Sequence, residues 1–511
     1  MTDTSLQAIA EWDHATWKSF AAELTVDGRN VIDGERRDAL DGSVIDSVDP
    51  TTGRIVGRIA GSGASDVDAA VATARATHRR GDWSRLPPRE RAAVLFRWAD
   101  LVETNAAELC ALDTVEMGRP ISDMVQYDLP EVVTTIRFFA EAIDKITGTT
   151  TATDPAVLHY TLRQPYGVVA AISPWNYPLL MATWKFTPAL AAGNCVILKP
   201  AEQAALSALR MADLFLEAGG PPGAFAALAG LGEHAGRALG LHAGVDKITF
   251  TGSTEVGKEL LVSAGNSNMK EVALECGGKS PQLFFADLDD LDTAVDSAID
   301  GIFDNMGEVC NAGSRLLVDV AIHDEFCERF AERAAGRYVP GDPLDPATRC
   351  GPLVDQESCA RVTEHIATAA RQGARSIFAE VMPGGLRDGA FVAPIAYADV
   401  DPSMTIARDE IFGPVAAIIP FSSEREAIDL ANDSEYGLAA GIWTSDLDRA
   451  HRCVRDLEAG TIWVNTFNDG DMTQPFGGWK QSGNSRDKCI ESLIEYTQEK
   501  SAWFSLGESA S

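Results

Sequence analysis

Cys310 stands in the segment NMGEVCNAGSR, between small and polar residues and after a helical pattern that begins near Leu291. A free cysteine is most often an inert thiol packed in an apolar stripe, and this setting is not such a stripe. As a thiolate it could add to an electrophilic carbonyl carbon. In EVALECGGKSP, Glu275 ends an apolar run and is followed by Gly277 and Gly278, which puts a carboxylate at a strand end beside backbone that can be closely approached. Such a carboxylate can take a proton from a thiol or from water, although a surface Glu paired with a nearby Lys gives the same local pattern. In ISPWNYP, Asn176 lies with Trp175 and Tyr177 between two prolines. An amide held this way can donate to a developing oxyanion, worth about 3–4 kcal/mol per donor, or can simply belong to a turn.

Two further segments have the residue types of a dinucleotide site. ILKPAE places Lys199 at a strand end and Glu202 just beyond it, where such folds meet the adenosine ribose. FTGSTEVG supplies a turn from Gly252 to Gly257 that opens a helix, whose first N–H groups would face a pyrophosphate. No G-x-G-x-x-G follows these strands, and a glycine turn alone can serve any strand-to-helix connection.

The elements that must carry these groups read as α/β. From Gly167 onward, short apolar runs at Val168–Ile172, Val196–Lys199, Phe225–Leu228, Lys247–Phe250 and Val272–Leu274 alternate with longer helical patterns. That alternation predicts parallel strands joined by helical crossovers in a doubly wound sheet. A second series begins after Pro281 with QLFFA, SRLLVD, PVAAIIPF and TIWVN, so a boundary is expected near residues 276–282. Residues 146–165 are Thr-rich and read as an extended hairpin arm, and the C-terminal KSAWF run as a last strand whose edge could pair with another subunit.

Composition narrows the partners. A chain of 511 residues with 43 Lys and Arg against 75 Asp and Glu carries a formal charge of −32, which repels nucleic acid backbones and anionic membrane surfaces. The nine cysteines are scattered without a C-x-x-C pair, which suggests neither a disulfide framework nor a thiolate metal site and fits a cytoplasmic setting. The N-terminal residues lack an export-signal pattern. The uncharged stretch from Gln164 to Trp184 is interrupted by Pro165, Pro174, Asn176 and Pro178, which reads as buried core rather than a membrane span.

Taken together, PWNYP, KPAE, FTGSTEVG, LECGGKSP, GEVCNAGSR, DEIFGPV and PFGGWKQSG occur in an order that resembles the aldehyde dehydrogenase superfamily over nearly the whole chain. The resemblance implies a Rossmann-like NAD-binding domain at 1–144 and 166–277, an α/β catalytic domain at 278–488 and a small β oligomerisation arm at 145–165 and 489–511. It implies that Cys310 is the nucleophile, Glu275 the general base, and Asn176 with the Cys310 backbone N–H the oxyanion hole. NAD would be held by Lys199 and Glu202 at the adenosine ribose, by Gly252 and Ser253 near the pyrophosphate, and by Glu410 and Phe412 at the nicotinamide side. Trp175, Ser173 and Gly232 complete that set. A carboxylate at 202 accepts from ribose hydroxyls and repels a 2′-phosphate, which favours NAD over NADP. A homodimer or homotetramer is the implied assembly, with a small aldehyde as the only other partner.

Within the superfamily, FAEAIDKITG, GDWSRLPPRERAAVL and NDGDMTQPFGGWKQSGNSRDK resemble the γ-glutamyl-γ-aminobutyraldehyde and other ω-aminoaldehyde dehydrogenases. Asp469 and Asp471 would then draw an ammonium group to the tunnel mouth, with Asp123 and Asp128 adding to the field and Trp184 and Phe467 lining the tunnel. A broader aliphatic or aromatic specificity stays open, as do a coenzyme A-acylating reaction and a fold kept without turnover. Three positions depart from the common pattern: Cys276 after the base, Glu308 near the nucleophile, and Gln498 where relatives pair an acid with the arginine at the position of Arg486. A carboxylate of Glu308 turned inward would raise the Cys310 pKa.

Overall fold

The structure is a computed structural model that describes residues 4–386 and 388–506. Its first sheet has seven strands, in the order Glu271–Glu275, Lys247–Thr251, Val168–Ile172, Cys195–Lys199, Phe225–Ala227, Asn30–Ile32 and Glu35–Arg37. The first five run parallel. Their central members are buried along their whole length, which is why Val168–Ile172 and Cys195–Lys199 are continuous apolar runs without polar alternation. The helices Pro178–Ala191, Leu206–Glu217 and Thr254–Gly265 form three of the crossovers. The expected strands are all present, with ends displaced by no more than a residue at either side.

A second seven-stranded sheet has the order Arg375–Ala379, Ile395–Ala398, Val415–Phe421, Arg315–Asp319, Pro281–Phe284, Ala439–Trp443 and Thr461–Val464, parallel except for its first strand. Only the segment 276–280 separates the last strand of one sheet from the first strand of the other. The C-terminal end of the strand Glu271–Glu275 therefore lies close to the start of the second sheet. Open α/β sheets bind ligands at such strand ends.

Each sheet has its own apolar core. Trp83, Trp98, Phe186, Phe215 and Phe225 fill the first, with edge-on and tilted ring contacts at 5.0–5.7 Å. Phe284, Phe303, Phe326, Phe330 and Trp443 fill the second. The arm pairs Val157–Pro165 with Thr497–Ser505 in one antiparallel register from Thr497↔Pro165 to Ser505↔Val157. The stretch expected to belong to the arm from residue 489 behaves differently in its first part: Cys489–Glu495 is a helix, and Leu493 and Tyr496 sit in the first core. Residues 507–511 of that stretch lie outside the described residues. The uncharged segment 164–184 divides into a strand, a turn and the start of a helix, and no helix among the described residues is long and apolar enough to cross a membrane.

Candidate active site

The helix Leu291–Phe303 delivers the chain into a tight left-handed turn, with φ of +47° at Asn305, +55° at Met306 and +73° at Gly307. Asn tolerates this region better than most residues, and Gly307 is needed because a Cβ there would overlap the Gly413 carbonyl. The turn brings the main chain of residues 308–310 against ISPWNYP. Asn176 Nδ2 donates to the Glu308 carbonyl at 2.8 Å, and Asn305 Nδ2 donates to the Asn176 carbonyl at 2.9 Å and to the Glu308 carbonyl at 3.3 Å. One of the two Asn176 amide hydrogens is thus used for orientation, and the other is left for a ligand. Asn305 was not singled out by sequence, although a non-glycine residue suited to positive φ in front of Met-Gly is a usable signal.

Cys310 is partly exposed. Burial first, and then the neighbouring Glu410 and Glu275 carboxylates, push its thiol up to about 12. At neutral pH the group is a thiol that needs a base before it can attack.

Glu275 is the last residue of its strand and is fully buried. Its Oε1 accepts from Ser485 Oγ at 3.0 Å, while Oε2 has no hydrogen-bond partner. Burial raises its pKa well above the usual carboxylate range, Asp487 adds to the shift, and Lys185 opposes it. Lys185 itself is wholly buried and donates to Asp487 Oδ2 at 2.6 Å. Ser485, Asp487 and Lys185 were all missed by sequence reading. The available signal was a lysine inside the apolar helix MATWKF, which must find a buried counter-charge.

The loop carrying Ser485 folds across the strand end: Cys276 N–H donates to the Ser482 carbonyl at 2.8 Å, and Glu275 pairs with Gly483.

The expected dinucleotide residues lie along the same edge. Lys199 Nζ meets Glu202 Oε2 at 2.9 Å, and Ser173 N–H donates to the Lys199 carbonyl at 3.1 Å. Ser173 Oγ is buried without a partner. Ser253 caps the helix Thr254–Gly265 by accepting from Val256 N–H, and Gly252 N–H donates to the Glu275 carbonyl at 3.1 Å. Gly232 opens a short turn with free space around its Cα. From the other side, Glu410 Oε1 accepts from Gly278 N–H at 3.1 Å, and a Cβ on Gly277 would overlap the Glu410 carboxylate. Burial pushes Glu410 up to about 7. Trp175 and Phe412 meet edge to face at 5.3 Å.

Residues 37–502 match the aldehyde dehydrogenase family. The chain belongs to the aldehyde dehydrogenase family. It is therefore an oxidoreductase that acts on aldehydes. It is 46% identical over 492 residues to the NADP/NAD-dependent aldehyde dehydrogenase PuuC of Escherichia coli K12, covering 96% of this chain and 98% of that one. Two solved structures superimpose with TM-scores of 0.95. The γ-glutamyl-γ-aminobutyraldehyde dehydrogenase of Burkholderia cenocepacia is 47% identical, covering 97% of this chain and 100% of that one. The indole-3-acetaldehyde dehydrogenase AldA of P. syringae, in complex with NAD+ and IAA, is 46% identical with the same coverage.

In this aldehyde dehydrogenase the residues expected at the substrate end divide into two groups. Trp184 packs at 5.7 Å on Phe476, and Phe467 at 5.0 Å on Trp463, so both aromatic side chains are held in place. Asp469 and Asp471 are exposed on the loop that follows, each tied to its own turn: Asp469 accepts from Gly470 N–H, and Asp471 from Thr473 N–H and Oγ1. Asp128 does not carry a free charge. Arg119 grips it with two hydrogen bonds, at 2.8 and 3.0 Å, and also pairs with Asp123 at 3.2 Å. The expectation that Asp123 and Asp128 add to a negative field is reduced accordingly, because the buried Arg119 guanidinium cancels one of the two charges.

The three departures are also placed. Glu308 points away from the thiol: its Oε1 accepts from Val354 N–H at 3.2 Å, and burial holds its pKa well above the usual range. The anticipated effect on Cys310 is replaced by that of Glu410 and Glu275. The sulfur of Cys276 packs where Gly257 leaves room for it. Gln498 pairs with Gln164 within the arm, while Arg486 is held by the Gly478 and Ser485 carbonyls.

Proposed function

We propose that the enzyme oxidises an aldehyde to its carboxylic acid through a covalent thioester on Cys310, with NAD as the hydride acceptor. The observation that carries the reading is the buried, unpartnered Oε2 of Glu275, a carboxylate oxygen whose charge is felt by the Cys310 thiol. Glu275 removes the thiol proton, and the sulfur adds to the carbonyl carbon. Asn176 Nδ2 and the Cys310 backbone N–H donate to the oxygen as it becomes anionic. Glu275 releases that proton to solvent, and after loss of hydride the thioester is hydrolysed by a water whose proton passes to the freed carboxylate and on to the departing Cys310 sulfur. The balance is aldehyde, NAD+ and water giving carboxylate, NADH and two protons.

Several features support the fit of the cofactor. Ser173 Oγ is an orphaned buried hydroxyl, the Thr254–Gly265 helix presents its N-terminus, and the Lys199–Glu202 pair stands at a strand end. Lys199 and Glu202 would hold the adenosine ribose, Gly252 and Ser253 the pyrophosphate region, and Glu410 and Phe412 the nicotinamide side, with Trp175, Ser173 and Gly232 completing the cradle. NAD supplies an acceptor for the hydride leaving the carbonyl carbon. The Glu202 carboxylate favours it over NADP.

The substrate we assign is an ω-aminoaldehyde, such as a γ-aminobutyraldehyde derivative. The relative from B. cenocepacia and the exposed Asp469 and Asp471 support that choice, while the P. syringae relative supports an aromatic aldehyde as the second reading. The nine free thiols accord with a cytoplasmic, reducing setting. The arm leaves Trp503, Phe504 and Leu158 exposed, which supports its use in a dimer or tetramer.

The test is NADH absorbance with purified enzyme, NAD and matched aldehydes, followed by product analysis with and without coenzyme A. Free acid formed without coenzyme A, and no turnover in Cys310→Ala, is expected. Strict coenzyme A dependence would overturn the hydrolytic reading. No turnover with any aldehyde would overturn the catalytic one.

A further inference from the structure

Next to the proposed nucleophile stands a polar side chain with no part in the steps above. Asn311 follows Cys310 directly and is only 4% exposed. Its Oδ1 lies 3.9 Å from Cys310 Sγ and accepts the S–H, while its Nδ2 donates to Asn468 Oδ1 at 2.9 Å. One amide therefore links the sulfur to a residue 157 positions further along the chain.

The loop that carries Asn468 is anchored on both sides of it. Phe467 packs on Trp463 at 5.0 Å and over a floor of two glycines, since a Cβ on Gly301 or Gly441 would come within 2.8 Å of its ring. Trp463 Nε1 donates to the Asp469 carbonyl at 2.6 Å. Between these anchors Asn468 has φ of +59°, a region that Asn tolerates better than most residues. Gly301 belongs to the helix Leu291–Phe303, which also leads into the Cys310 turn, so the loop and the thiol rest on the same helix. A partner fixed in this way orients the Asn311 amide. With Nδ2 committed to Asn468, the group left facing the sulfur is Oδ1, which can only accept.

We propose that Asn311 and Asn468 form a latch that holds Cys310 as a thiol, its S–H turned to Asn311 Oδ1 until Glu275 takes the proton. A carbonyl oxygen stabilises a thiol by accepting its hydrogen, and its lone pairs oppose a thiolate. The charged groups that act on the sulfur, Glu410 and Glu275, belong to other segments and are untouched by the latch. To reach Glu275 the S–H turns about the Cβ–Sγ bond and gives up one weak hydrogen bond. Releasing so weak a bond costs catalysis little, yet it slows stray attack by the sulfur on other electrophiles. Asn311 and Asn468 are thus positioning residues, and the inference rests on the reading of Cys310 as the nucleophile.

The experiment measures the infrared S–H stretch of Cys310, isolated as the difference between each protein and the same protein carrying Cys310→Ala, together with the rate of iodoacetamide alkylation at neutral pH. In Asn311→Ala and Asn468→Ala the band should move to higher frequency, as for a thiol without an acceptor, and alkylation should speed up about twofold to fivefold. Asn468→Asp still accepts from Asn311 Nδ2, so it should keep the wild-type band and gain no rate. An unchanged band in Asn311→Ala would overturn the latch. Slower alkylation in that variant would do the same, because the amide N–H rather than its oxygen would then face the sulfur. Should the variants fail to fold, the wild-type band decides. A frequency below that of an alkanethiol in an apolar solvent is expected, and an equal one would overturn the proposal. The two readings fail separately: NADH turnover by Cys310→Ala defeats the nucleophile, whereas the S–H band tests the latch alone.

Discussion

Replacing Asn176 by Ala isolates one donor of the oxyanion site proposed above. The main chain at 176 should stay in place, because its carbonyl is held by Asn305 Nδ2 at 2.9 Å, an interaction that alanine keeps. The Glu308 carbonyl loses the bond at 2.8 Å but retains the one from Asn305 at 3.3 Å. What disappears is the second amide hydrogen, which has no acceptor in the resting site. Loss of one such donor costs about 2.7–4 kcal/mol in the transition state, or a factor of about 10²–10³ in rate. Stopped-flow measurement of the first turnover should therefore show NADH forming 10²–10³ times more slowly. Alkylation of Cys310 by iodoacetamide develops no carbonyl oxyanion and serves as the control for thiol position. A burst slowed by less than about tenfold would refute the role given to Asn176. So would an equal loss of alkylation rate, since that would mean a displaced thiol rather than a missing donor.

Three further outcomes follow from the carboxylates. Glu275→Gln should reduce steady-state turnover by about 10²–10⁴ and slow NADH formation in the first turnover as well, because the same carboxylate takes the Cys310 proton, and unchanged steady-state rates would remove Glu275 from hydrolysis. Because Glu275 acts as the carboxylate and its pKa is raised, kcat/KM should climb with pH above the ordinary glutamate range. Asp487→Asn should move that limb to lower pH, since Asp487 is the second cause of the elevation and its removal leaves Lys185 free to favour the Glu275 anion. A limb that stays in place would show that Asp487 does not act on Glu275. Burial likewise holds the Glu308 proton in the folded chain, whereas the unfolded chain releases it above about pH 4.3. Folding stability from this group then declines as pH rises, by at most about 1.4 kcal/mol per pH unit until the folded pKa is reached. Thermal melts of Glu308→Gln should therefore match wild type near pH 5 and exceed it at pH 8; a pH-independent difference would contradict the buried proton.

Much of this protein was legible before folding was considered. Continuous apolar runs such as Val168–Ile172 read as parallel strands because strands buried on both faces cannot alternate. Cys310, Glu275 and Asn176 stood out because each lies in small, polar or proline-flanked surroundings that suit chemistry better than packing. The reading went astray where the outcome depended on which groups end up facing each other. Asp128 looked like free charge until the chain brought Arg119 against it at hydrogen-bonding distance. Glu308 looked like a threat to the thiol because it is two residues away, yet the turn at Asn305 and Met306 sends its side chain toward Val354.

Residue type and local pattern determined the strands and pointed to the proposed nucleophile, base and oxyanion amide, because these depend on hydrophobic periodicity and on chemistry that few side chains can perform. Only the folded chain decided how those groups are tuned. Burial raises the Cys310 and Glu275 proton affinities, Lys185 arrives beside Asp487 from more than three hundred residues away, and Asn468 is brought against Asn311. Charge interactions depend on distance and dielectric through space, and neither quantity is written in the order of residues along the chain.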